Sequence, residues 1–116
     1  MSADPPRLLD DAGRVLLERL ETAARLWPRF VGLMGRASLP AGHGLYFPRC
    51  RSVHTFFMRF PIDLLFVDAE MRVVSLRADV RPWRTVVGPA AARGVIEVCR
   101  GGLLGEPVPG ARLRQG

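Results

Sequence analysis

At 116 residues, with 17 basic against 11 acidic side chains and a net charge of +6, the chain is one domain, large enough to bury a single modest core without staples. No apolar stretch approaches the roughly 20 residues that span a bilayer. Cys50 and Cys99 are remote from each other and stand in neither Cys-x-x-Cys nor His-flanked spacing, which argues against a metal site. Every basic residue is an arginine and the arginines run through the whole length. That pattern reads as GC-rich codon usage more than as a binding stripe, so nucleic acid is the lesser reading of the charge. Asp4, Asp10 and Asp11, with no apolar core before Arg14, do not make a secretory signal. The expectation is a cytoplasmic protein with both thiols free, no cofactor and no metal.

Residues 1–13 form a polar, Pro-containing entry expected to fray, ahead of a single β domain over 14–116. From Arg14 to Trp27, Leu16, Leu20, Ala23, Ala24 and Trp27 recur with a helical period, while Val15, Leu17, Arg19 and Glu21 also permit a strand; periodicity and propensity favour helix. Pro28 suits the first turn of a short helix carrying Phe30, Val31 and Met34, stopped at Gly35. Pro40-Ala41-Gly42-His43-Gly44 is a turn cluster before a short strand, Leu45-Tyr46-Phe47, closed by Pro48. A strand is expected from Val53 to Phe60, broken by Pro61 and resumed from Ile62 to Asp68. Asp68-Ala69-Glu70-Met71 then turns the chain into an antiparallel partner, Arg72 to Leu76. Residues 81 to 93 read as irregular, Gly94 to Cys99 as a strand, and Ala111 to Leu113 as one further short strand. Short strands with Gly/Pro turns at this spacing predict a mainly β fold, a compact antiparallel sandwich or barrel-like sheet with one or two short helices.

The stretch from Val53 to Asp68 embeds polar groups in an apolar run, and burying His54, Arg59 or Asp63 costs several kcal/mol unless each finds a partner. His54 is the side chain suited to proton transfer near neutral pH; in a continuous strand it would share a face with Phe56, Met58 and Phe60, opposite Thr55 and Arg59. Asp63 after Pro61 either pins the kink with charge-assisted bonds or serves as a pocket acid paired with His54 or Arg59. On a sheet with one wet face Glu97 would be solvated; a pocket role is its alternative. Cys50 between Arg49 and Arg51 is a conceivable nucleophile, though no orienting amide stands near it. Arg81-Pro82-Trp83-Arg84 mixes guanidinium with indole, a composition that suits either a cap on the sheet or an interaction surface for phosphates, bases or protein.

Gly32-Leu33-Met34, Gly44-Leu45, His54-Thr55-Phe56-Phe57-Met58-Arg59, Pro61-Ile62-Asp63, Phe66-Val67-Asp68, Val73-Val74 and Ile96-Glu97 followed by Gly101 stand in an order that resembles the domain of unknown function 192 family, over about residues 14 to 114. The resemblance implies a small, mainly antiparallel β fold with a strand within Arg14 to Thr22, and no agreed substrate or cofactor. Many members resemble a Trp-Met-Lys-Asn-Thr version where this chain has Phe57-Met58-Arg59-Phe60, and a family Gly-Asp pair appears here as Gly110-Ala111. The reading that follows is a binding module for a small anionic ligand or a partner protein. Its expected site is a groove lined by His54, Thr55, Arg59, Asp63 and Glu97, and Arg81, Trp83 and Arg84 form a candidate interaction surface. The rivals are a small enzyme with His54 as general base, oriented by Asp63 and assisted by Arg59, and a nucleic-acid-binding protein.

Overall fold

Two strand-length segments that are apolar but for one acid each, Ile62–Val67 with Asp63 and Gly94–Cys99 with Glu97, become central strands of the protein. The computed structural model describes residues 5–23, 39–56 and 58–116. Its strands are β1 (Leu8–Leu9), β2 (Val15–Leu17), β3 (Arg19–Thr22), β4 (His43–Pro48), β5 (Ser52–His54), β6 (Ile62–Val67), β7 (Val73–Val80), β8 (Thr85–Val87), β9 (Gly94–Cys99) and β10 (Arg114–Gln115). They form a five-stranded sheet in the order β3-β4-β9-β6-β7, a three-stranded sheet β10-β1-β2 and a two-stranded ribbon β5-β8. All pairings are antiparallel except β3 with β4.

Three layers result. Alternation along β6 sends Ile62, Leu64 and Phe66 to one side, where they meet Leu45 and Phe47 of β4, Val95 of β9 and, from the ribbon, Val53 and Val86. Leu65 and Val67 go to the other side with Ile96 and Val98, where Leu8, Leu16, Leu17 and Leu113 cover them. Both faces of the central strands are therefore covered, which is why their sequences are apolar on both faces, apart from Asp63 and Glu97, rather than alternating. Each fully covered Leu, Ile or Val contributes about 2 kcal/mol by leaving water. Close approach of the layers is written into Gly44: a Cβ there would stand 2.7 Å from Leu17 Cδ1 and 3.1 Å from Val98 Cγ1.

The mainly β sandwich matches the expected fold class, and β6 and β9 lie where the sequence puts them. Between Arg14 and Ala23 the chain is extended, with a bend at Glu18 separating β2 from β3. The helical period there loses to partners that hydrogen-bond the backbone on either side, β1 for β2 and β4 for β3. The short helix expected from Pro28 to Gly35 lies outside the described residues. Part of the entry segment 1–13 is ordered by pairing: β1 bonds to β2 and β10, and Leu8 and Leu9 are buried. The expected strand from Val53 to Phe60 stops at His54, because Met58 N–H donates back to Thr55 O at 3.3 Å and closes a turn. The segment 81–93 is not wholly irregular; β8 lies within it and pairs with β5. Asp68 shapes the β6–β7 hairpin, its Oδ1 accepting from Glu70 N and Arg72 N at 2.9 and 2.8 Å.

Candidate functional site

The ribbon β5-β8 is an outer layer that alternates buried and exposed residues. Ser52, His54, Thr85 and Val87 point outward, while Val53 and Val86 are buried beneath. Just beyond its end, Thr55 is fully buried, at 0% exposure. Its hydroxyl donates to Arg81 O at 2.7 Å and accepts from Arg84 N at 2.9 Å. The Thr55 backbone adds two more bonds, N–H to Arg84 O at 2.8 Å and O from Trp83 N–H at 3.0 Å. One buried threonine thus clamps the 81–84 loop to the end of β5, and the clamp holds Trp83 at φ 65°. A bulky residue in that left-handed region costs about 1–2 kcal/mol and persists only where its surroundings enforce it.

The clamp assembles an aromatic column. The His54 and Phe56 rings stand 5.2 Å apart, and Phe56 stacks on Trp83 at 5.6 Å with 26° between planes. Trp83 is nevertheless 57% exposed. Around the column and along the ribbon lie Arg49, Arg51, Arg59, Arg81, Arg84 and Arg93, all exposed. Arg81 pairs with Asp79 at 3.4 Å; among the described residues no ion pair engages the other five. The sequence explains why. From Thr22 to Ile62, and again from Val80 to Ile96, there is no Asp or Glu. The pairing of β5 with β8 brings these two acid-free segments together, so arginines remote in sequence stand at the two ends of one ribbon. The signal was legible in where the acids are missing, not in where the arginines stand.

The other candidate residues do not converge with this surface into one groove. Asp63, 6% exposed, spends both oxygens on backbone: Oδ1 accepts from Asp79 N at 2.8 Å and Oδ2 from Gly101 N at 2.9 Å. Opposite it β7 carries a bulge, since Ile62 pairs Val80 but Leu64 pairs Arg77. Asp79 has φ 55° in that bulge and Gly101 φ 69° in the turn after β9. One carboxylate therefore satisfies the N–H groups that two left-handed positions strand, and among the described residues no bond joins it to His54. His54 is exposed beside Phe56 rather than set among core side chains, and Arg59 is exposed on the turn after it.

Glu97 pairs with Leu45 and Leu64 and shares their face, whereas Asp63 pairs with Val98 and belongs to the opposite face. Glu97 is 7% exposed, and the covered sheet overrides the solvated position expected for it. Among the described residues nothing donates a hydrogen bond to its carboxylate, and burial pushes its pKa up to about 7. Cys50 Sγ donates to Ser52 O at 3.1 Å, and both thiols are free. Among the described residues no group of three His, Cys, Asp or Glu side chains is placed to hold a metal ion, and no helix is long and apolar enough to cross a membrane.

The fold and this surface define a small β-sandwich domain with a covered central sheet and one exposed aromatic, arginine-bearing ribbon. The family profile described as Uncharacterized ACR, the domain of unknown function 192, matches residues 8–112. The chain belongs to this family. A UPF0127 protein of Thermococcus sibiricus is 34% identical over 73% of the chain and 57% of its own length. A UPF0127 protein of Pyrococcus horikoshii is 44% identical over 43% of each. The chain thus spans about half the length of the curated relatives it matches. Among solved structures, a Sinorhizobium meliloti protein described as a "putative transcription regulator" superposes over 98% of each chain, with TM-score 0.75 and 23% identity. A protein of unknown function from Novosphingobium aromaticivorans covers 95% of this chain and 83% of its own, with TM-score 0.71 and 21% identity. At these identities the likeness is one of fold.

Proposed function

We propose that this protein is a cytoplasmic binding module whose working surface is the ribbon layer, and that its partner is anionic. The observation that carries the reading is the ribbon layer: exposed arginines stand at both of its ends beside an exposed aromatic column, and among the described residues the carboxylate paired with them is Asp79, on Arg81. Trp and Arg are the side chains that most often anchor contacts, and a single-sign surface of this kind steers oppositely charged partners toward it. The strained backbone at Trp83 supports the same reading, since an indole held outward against its own φ preference is a costly way to cap a sheet. The enzyme alternative with His54 as base finds no support in the geometry, because Asp63 is committed to backbone and no other carboxylate is bonded to His54 among the described residues. Titration with heparin as a generic polyanion, followed by amide NMR shifts, tests the proposal. Shifts should cluster at residues 49–56, 81–87 and 93 and fade as salt is added. Shifts confined to the three-stranded β10-β1-β2 side, or none at low salt, would sink it.

A further inference from the structure

We infer that the corner between β7 and β8 is a seat for one phosphate group, carried as the free ion or as a small phosphate monoester. The inference rests on the anionic-partner reading above and names the charged group and the place that takes it. The corner holds a cavity of about 160 Å³, lined by Arg77 and Asp79 of β7, Arg81 and Arg84 of the loop, and Thr85 and Val86 of β8. Pockets for whole drug-sized ligands run from about 300 to 1,000 Å³. This one suits a single charged group.

The way its walls are held marks the corner as a site. On the β7 side, buried Asp63 accepts from Asp79 N at 2.8 Å, in the bulge where Asp79 has φ 55°. On the loop side, buried Thr55 accepts from Arg84 N at 2.9 Å and donates to Arg81 O at 2.7 Å. Among the described residues, Thr55 and Asp63 are the buried polar side chains of the Val53 to Asp68 stretch, and both act on this one corner. A small rigid ion is bound more tightly where its donors are fixed before it arrives.

The charges around the cavity are unequal. Asp79 is paired through Oδ2 with Arg81 and through Oδ1 with Arg100, each at 3.4 Å. Among the described residues no ion pair engages Arg77 or Arg84. Of the five N–H donors in a guanidinium, Arg84 places one of Nη1 toward Trp83 O, at 3.4 Å. With Asp63 beneath the bulge included, four arginines stand against two carboxylates, an excess of two positive charges. A phosphate monoester carries about −1.5 to −2 at pH 7 and three acceptor oxygens, one for each of Arg77, Arg81 and Arg84. A carboxylate brings one charge and two oxygens, and would leave a guanidinium of the three without a partner.

The test is calorimetric titration of the full chain at low salt with inorganic phosphate, glycerol phosphate and succinate, a dianion of another class. Amide NMR shifts report which residues respond. Both phosphates should bind one to one with shifts at residues 77–86, and succinate should bind about tenfold more weakly or worse. Inorganic phosphate as tight as the ester would assign the seat to the free ion, and a tighter ester to a phosphorylated small molecule; either upholds the inference. Arg77→Gln and Arg84→Gln, both exposed substitutions, should each weaken phosphate about tenfold, the loss of one charge-assisted bond. Arg114→Gln removes the same charge from β10 and should leave the affinity within about twofold. Succinate binding as tightly as phosphate, or Arg114→Gln costing as much as Arg77→Gln, would overturn the inference, because charge alone would then account for binding. Heparin shifting the ribbon while neither phosphate binds would overturn it and leave the anion-binding surface standing. No binding of any of these anions at low salt, heparin included, would overturn both.

Discussion

Asp63 and Glu97 sit on adjacent strands of the same sheet, are buried to the same degree at 6% and 7% exposure, and differ in everything else. Asp63 is opposite a bulge and beside a glycine turn, and each of its oxygens accepts from a backbone N–H group. Glu97 is flanked across the strands by Leu45 and Leu64, and nothing among the described residues donates to it. Burial alone, then, does not mark a carboxylate as a site or as a strut; the supply of donors does. Asp63 is part of how the fold closes. Glu97 is a cost that the fold carries, reduced because its environment holds it protonated up to about neutral pH.

The largest expected effect is at Asp63. Asp63→Asn keeps the shape but turns an amide donor toward one of the two N–H groups, so stability in urea should drop by about 3 kcal/mol. A loss under about 1 kcal/mol would mean that the two bonds are not structural, and the contrast with Glu97 would collapse. Glu97→Gln should act in the opposite sense, and through pH. A folded pKa of about 7 against an ordinary 4.5 means that the folded state holds a proton the unfolded state has released. The stability tied to that proton is present below pH 4.5 and is lost as pH rises through 7. Wild-type protein should therefore lose about 2 to 3 kcal/mol between pH 5 and pH 8, and Glu97→Gln should remove that slope. Identical pH profiles for the two proteins would show that Glu97 is solvated or paired after all.

These residues also show how far the sequence could be read. Apolar runs announced β6 and β9, and Gly94–Cys99 came out with its boundaries intact because both faces are covered. The β6–β7 hairpin was legible from Asp68-Ala69-Glu70-Met71. The two short strands β2 and β3 were not legible from periodicity, since three or four residues of strand leave a pattern that a helix also satisfies; the family resemblance, which put a strand within Arg14 to Thr22, had it right. The polar set suffered from the same limit. His54, Arg59 and Asp63 are close in sequence, but the turn at Thr55–Met58 and the alternation of β6 send them to different places. Residue spacing carries no information about a register shift, so neither the bulge that employs Asp63 nor the pairing that buries Glu97 could be foreseen. Thr55 stood in the right neighbourhood, but as the support beneath a surface, which its hydroxyl could not reveal without the 81–84 loop folded over it.

That support gives the next effect in size. Thr55→Val keeps the volume and removes the hydroxyl that donates to Arg81 O and accepts from Arg84 N. The expected loss is about 1–2 kcal/mol. The Trp83 indole should also gain mobility, read as lower fluorescence anisotropy than in wild type, a change that a uniform loss of stability would not produce. Unchanged anisotropy would mean that the loop holds its own shape, and that the buried threonine does not preorganise the exposed column.

The smallest stability effect should come from the residue with the most to do at the surface. Trp83 has φ 65° and is 57% exposed, so replacing it with glycine relieves a left-handed backbone position, while forfeiting its contacts, the stack on Phe56 among them. The two terms are each about 1 kcal/mol and opposite in sign, so Trp83→Gly should change the urea stability by less than about 1 kcal/mol. A ring serving as a cap over the sheet would behave differently, since removing it would uncover core and cost about 3 kcal/mol or more. The urea midpoint therefore separates the two roles directly. A large loss would put Trp83 with Asp63 among the groups that close the fold. A small one would set it apart as a side chain the fold holds outward, at some strain, for contact.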